Sequence, residues 1–130
     1  DTGIAVSNTS LDTRTEFPTI PESGKVTINY FCGQPGCSAP AAQTTNLPLS
    51  AGEQLTFTLS GGGGYGIAAT PQFQGYLIVQ SRFQYCHGFA YLSAIGATPS
   101  ANGAALGYLG LVMHSPSLYR VELQGESIGH

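Results

Sequence analysis

The chain has 130 residues, a formal net charge of −3 and only 8% charged residues, against about 25% in an average soluble domain. Its four basic residues, Arg14, Lys25, Arg82 and Arg120, are scattered, which argues against nucleic-acid binding because no basic patch is available to neutralise phosphates. The longest apolar run, Ala104 to Met113, carries two glycines and falls well short of the roughly 20 residues that a membrane helix needs, so no membrane span is expected.

In chain order, Gly3 to Asn8 reads as a first strand, and Thr9 to Gly24, with Pro18 and Pro21, as a long loop. Lys25 to Cys32 alternates, placing Val26, Ile28 and Tyr30 on one face and Thr27, Asn29 and Phe31 on the other. A CGQPGC turn and a polar, Ala/Pro-rich connection follow, up to Gly52. Glu53 to Ser60 alternates again through Leu55, Phe57 and Leu59, and Gly61 to Gly66 is a glycine-rich hairpin tip. Phe73 to Thr98 is the aromatic centre of the chain, read as two consecutive strands, Gly75 to Arg82 and Phe83 to Ile95. Ala97 to Gly103 is a polar turn, and Ala104 to His114 and Leu118 to Gln124 supply the last strands.

No segment has helical periodicity with caps. About seven short strands between Gly and Pro clusters predict an all-β, single-domain, two-sheet β-sandwich of the Ig-like kind over residues 1–130. A closed barrel is the alternative, and residues 1–10 are a candidate separable N-terminal strand. With 42% hydrophobic residues the chain can build a core. Its surface must then be mostly Ser, Thr, Gln, Asn and Gly, which repels copies of itself only weakly.

Three cysteines allow one disulfide. Cys32 and Cys37, closing a turn-rich hexapeptide, are the first candidate pair, although Cys32–Cys86 and Cys37–Cys86 remain open. Cys86 is then either a buried free thiol or an intermolecular one. Cys86 and His87 are neighbours on a strand and should face opposite ways, which defeats a Cys–His dyad. His114 and His130 lack spaced partners, so no metal site or cofactor is expected. Asp1-Thr2-Gly3 matches the aspartic-protease triplet but has no preceding strand and no second copy in the chain. No carboxylate pair has glycosidase spacing, and GGGGYG lacks the Lys-Ser/Thr of a phosphate loop. The expectation is a protein that is not an enzyme. Asn8-Thr9-Ser10 is a glycosylation sequon by pattern, and Tyr65, Tyr76 and Tyr91 are candidates to stack on sugars, with core packing the commoner role for strand aromatics.

The segments DTGIAVSNTS (1–10), ATPQFQGYLIVQSRFQYCHGFAYLSAIGA (69–97) and GYLGLVM (107–113) resemble a family of uncharacterised secreted bacterial proteins, mainly acidobacterial. Members resemble this chain in an opening DTGIA-SNTS, a central FQGY…FQY-HGFA and a late GYL-LV. They often carry Cys where this chain has Ser81 and a small residue where it has Cys86. The resemblance implies a secreted, extracellular or cell-surface location and carries no activity. It also implies that Asp1 follows a cleavage point.

The functional expectation is an extracellular structural subunit that assembles with copies of itself into a filament or surface layer. Gly3, Ile4, Ala5 and Val6 are the candidate strand for donation to a neighbour. The alternative is a secreted module binding carbohydrate, such as surface polysaccharide, or another surface ligand through the loop around Tyr65.

Overall fold

A computed structural model of the chain describes residues 1–11, 19–93 and 105–113. Within them the secondary structure is entirely β: β1 (Thr2–Asn8), β2 (Val26–Cys32), β3 (Gln43–Thr44), β4 (Gln54–Thr58), β5 (Gly62–Gly63), β6 (Gly75–Ser81), β7 (Cys86–Ser93) and β8 (Ala105–Leu109). Two antiparallel sheets form, one in the order β5-β4-β1-β7-β8 and the other β3-β2-β6. Neither sheet closes on itself among the described residues, so the architecture is an open sandwich and not a barrel.

Strand alternation decides what lies between the sheets. Ile4 and Val6 of β1 stand opposite Phe57 and Leu55 of β4, on the same face as Ala90 of β7. From the second sheet, Val26, Ile28 and Tyr30 of β2 join them in one buried cluster, closed by Leu49, Ile67 and Phe83. Every second residue is therefore held to the core, and a slip by one residue would turn this whole set towards solvent. Tyr30 packs edge-to-face on Phe73, with ring centroids 5.3 Å apart.

β1 is a central strand. It pairs with β4 from Gly3 to Ser7 and with β7 from Thr2 to Asn8. The residues offered as a donated strand, Gly3, Ile4, Ala5 and Val6, are thus engaged on both edges within their own chain.

The aromatic centre divides differently from its sequence pattern. β6 and β7 are consecutive in the chain but belong to opposite sheets. Residues Arg82 to Tyr85 make the corner, where the Arg82 N–H donates to the Lys25 carbonyl (3.0 Å) and Tyr85 takes a left-handed φ of 58°. Phe83, read from sequence as the start of a strand, is instead a buried plug in that corner, and β7 begins at Cys86. The expected end of that strand at Ile95, the turn over 97–103 and the strand over 118–124 lie outside the described residues. Two short strands had no sequence signature: β3, paired to β2 at Thr27 and Ile28, and β5, which turns the glycine-rich stretch into the return arm of a hairpin with β4.

Candidate functional site: the uncovered edge at β7 and β8

Ala105 to Met113 reads ALGYLGLVM, without a polar side chain apart from the tyrosine hydroxyl. A continuous apolar run is the composition of a strand covered on both faces. In the structure β8 has one neighbour only, pairing with β7 from Phe89↔Leu109 to Ser93↔Ala105, and the Gly110 N–H extends the ladder to the Gly88 carbonyl (2.7 Å). Its other edge is free among the described residues.

The register assigns the faces. Leu92 of β7 pairs with Leu106, and Ala90 with Tyr108, so Leu106 and Tyr108 belong to the side that carries the core. Both are nonetheless exposed, Leu106 at 72%. Leu109, on the opposite face, is 76% exposed, and Leu111, Val112 and Met113 beyond it are exposed as well. Apolar side chains are thus uncovered on both faces of a strand whose outer edge is free among the described residues. Monomeric proteins rarely leave such a patch open, and a long apolar edge without charge is a template for pairing with another chain. No Asp, Glu, Lys or Arg lies between Ala105 and Met113 to discourage it.

The other sequence-derived candidates fall elsewhere. Asn8 corrects the glycosylation reading. It is 1% exposed, and its Nδ2 donates to the Glu22 carbonyl (2.8 Å) and the Leu49 carbonyl (3.2 Å). Its Oδ1 accepts from the Ser10 N–H (3.1 Å) and the Ser10 hydroxyl (2.7 Å). The amide nitrogen a glycan would need is buried, with both hydrogens donated. The sequon is a structural knot that ties the end of β1 to the segments at Glu22 and Leu49.

Tyr65 lies beside a shallow, open depression with Asn46, Leu47 and Pro48. It takes a left-handed φ of 58°, and its ring packs half-buried against the core. Its hydroxyl donates to Glu53 Oε2 (2.9 Å), which also accepts the Ser50 N–H (2.7 Å). These hydrogen bonds, that from Ser50 first, hold the Glu53 carboxyl below the ordinary range, and the same carboxylate pushes the Tyr65 phenol up. Tyr65 is therefore tied into the turn at Ser50–Glu53, and little of its polar end is left for a ligand.

Cys32 and Cys37 are joined in a disulfide, with Cα atoms 5.7 Å apart. Cys86 is a free thiol, half-buried opposite Asn8, and burial pushes it above the ordinary thiol range against a weaker opposing hydrogen bond from Ser81. His87 points to the opposite face, opposite Ser7. The Asp1 carboxylate accepts from the Ser60 N–H (3.3 Å) and the Ser60 hydroxyl, fastening the start of β1 to the β4–β5 turn. His114, His130, Arg14 and Arg120 lie outside the described residues, and no cluster among the described ones could hold a metal ion. Sequence reasoning read Ala104 to His114 as a late strand and rejected Ala104–Met113 as a membrane segment, without marking it as a site. Its one usable signal was the absence of polar alternation, the mark of a strand that needs a partner on each side.

Comparison with protein-family models, curated proteins and solved structures finds no match to the chain.

Proposed function

We propose that the protein is an extracellular structural subunit that assembles with copies of itself into a filament or surface layer, and that β8 forms the joint. The observation that carries this reading is the apolar β8 strand, which among the described residues is open on one edge and uncovered on both faces. Pairing it with a neighbouring subunit would satisfy its unpaired backbone groups and bring the neighbour's side chains against Leu106 and Tyr108 on one face and Leu109 on the other. A chain with 8% charged residues offers little repulsion between copies. The Cys32–Cys37 disulfide favours an oxidising, extracellular setting, in keeping with the family that the sequence resembles.

Exchange of β1 between subunits would have to replace a central strand paired on both sides. Addition at β8 requires no strand to be removed, so it is the simpler route. Cys86 faces the core side of β7 and is half-buried, so the joint does not depend on an intermolecular disulfide.

The test is electron microscopy and sedimentation at neutral pH, on the wild-type chain and on Leu106→Lys/Leu109→Lys, each with and without reductant. The wild type should form ordered polymers or sheets that survive reductant, and the double variant should be a folded monomer. A wild type that stays monomeric at high concentration, or a double variant that polymerises equally, would overturn the proposal.

A further inference from the structure

The outer face of the five-stranded sheet carries a second, independent feature. β1 turns Gly3, Ala5 and Ser7 outward, small side chains that leave a shallow trough between β4 and β7. Two strand spacings separate the β4 and β7 backbones by about 10 Å, and the outward side chains of Thr56 and Phe89 wall that span beside Ala5. At one end of the trough the Tyr91 ring leans across onto β1. Its Cε1 lies 2.1 Å from where a Cβ on Gly3 would be, so only glycine leaves room for it. Phe89, two residues earlier on the same face, leans the other way, with its Cζ 2.7 Å from a Cβ position on Gly107. Each ring has one side against glycine backbone and remains open on the other, Tyr91 at 43% exposure.

The second sheet uses its outer aromatics differently. Phe31 and Tyr76 stack on each other, with centroids 5.0 Å apart and planes 8° from parallel. That pair commits one face of each ring to the other ring, whereas Tyr91 and Phe89 each rest one face on glycine backbone, and only Tyr91 lies beside the small residues of β1.

We propose that the trough along β1, floored by Ala5 and Ser7 and closed by the Tyr91 ring, binds an uncharged polysaccharide chain. A sugar ring has an apolar C–H face to lay on an aromatic ring and hydroxyls around its rim. The trough supplies both counterparts: the Tyr91 face on one side and, along β4, the exposed Thr56 hydroxyl and the Gln54 amide, which is joined to the Ser7 hydroxyl (2.8 Å). Charge selects the class. No Asp, Glu, Lys or Arg projects from the strands of this face, and Asp1 at its end is occupied by Ser60. A cation would lose hydration here without gaining a counter-charge, and an anion would meet only the exposed His87 imidazole opposite Ser7.

The experiment is retention on amorphous cellulose and on chitin, with polygalacturonate as the charged control, using the wild type and the Leu106→Lys/Leu109→Lys edge variant. The expected result is retention of both proteins by at least one uncharged polymer, since the trough and the β8 edge are separate surfaces. Tyr91→Ala should weaken binding roughly tenfold, in line with the loss of one ring-stacking contact. Ala5→Lys, which fills the trough without touching the core, should do the same, and Tyr76→Ala on the other sheet should change nothing. No retention by either uncharged polymer, stronger retention by polygalacturonate, equal binding by Ala5→Lys, or retention lost in the edge variant would each overturn the proposal. The last outcome would mean entrapment in an assembly and would leave self-association standing.

Discussion

The two ends of the long sheet treat their unsatisfied groups in opposite ways. Where β1 ends, Asn8 and Ser10 are buried polar residues, and the chain supplies their partners from its own loops: the carbonyls of Glu22 and Leu49, and the N–H of Glu22 to the Ser10 hydroxyl (3.0 Å). At β8 the surface is apolar, and nothing among the described residues covers it. The first region is complete within one molecule and the second is not. Buried polar groups demand local partners because leaving them unpaired is expensive, whereas an apolar strand can wait for a partner at the cost of solubility. The difference separates what folds this chain from what would join it to another surface.

Breaking the knot should have the largest effect. Asn8→Ala removes the amide from the Ser10 N–H and hydroxyl and from two carbonyls at once. Stranding several buried groups should cost about 3–4 kcal/mol of unfolding free energy, measured by denaturant titration. Asn8→Asp should lose a comparable amount, because a carboxylate cannot donate to Glu22 and Leu49. A loss below about 1 kcal/mol in both variants would mean that water substitutes for the amide and that the region is not closed as described.

The opposite result is expected at the edge. Leu106→Ala deletes the same atoms as a core truncation would, yet Leu106 is 72% exposed in the single chain. Its monomer should keep its stability to within about 0.5 kcal/mol, while Leu55→Ala, fully buried on β4, should lose about 2–5 kcal/mol. A large loss at Leu106 in dilute, monomeric protein would show that the leucine is already covered within its own chain, and the contrast between the two ends would fail.

How much of this was legible in the sequence follows the same division. β2 and β4 alternate cleanly because one face of each is buried, so Val26, Ile28, Tyr30, Leu55 and Phe57 were readable as core. β3 and β5 were not readable, because each is two residues long and is defined by its hydrogen bonds to a neighbour. Phe83 carries the same apolar signature in a corner as it would in a strand, so the switch of sheets between β6 and β7 left no local mark. Asn8-Thr9-Ser10 has the pattern of an exposed sequon, and only the register of β1, which turns Asn8 inward with Ile4 and Val6, makes it interior. The trough was half legible. Tyr91 stood out as an aromatic, but that its ring lies over Gly3 depends on two strands distant in sequence being paired.

The smallest expected effect sharpens the closed end. Glu53 serves the knot through its backbone, whose carbonyl accepts the Asn8 N–H (2.9 Å), while its carboxylate ties the turn by accepting the Ser50 N–H and the Tyr65 hydroxyl. Those bonds favour the ionised form, so the folded carboxyl titrates lower than the unfolded one. A depressed carboxyl adds stability that is present above the unfolded pKa and is lost as pH falls through the folded value. The phenol has the opposite sign. Because Tyr65 is raised in the fold, its share is present below the ordinary phenol pKa and is lost as pH rises through the folded one. Wild-type stability should therefore fall between about pH 5 and about pH 3 by more than that of Glu53→Gln, whose amide does not titrate. The carboxylate is exposed, which keeps the difference small and makes it shrink as salt is added. Parallel pH profiles for wild type and variant would show that the turn is held by its backbone alone, and that the polar end of the molecule is closed by Asn8 and Ser10 without help from Glu53.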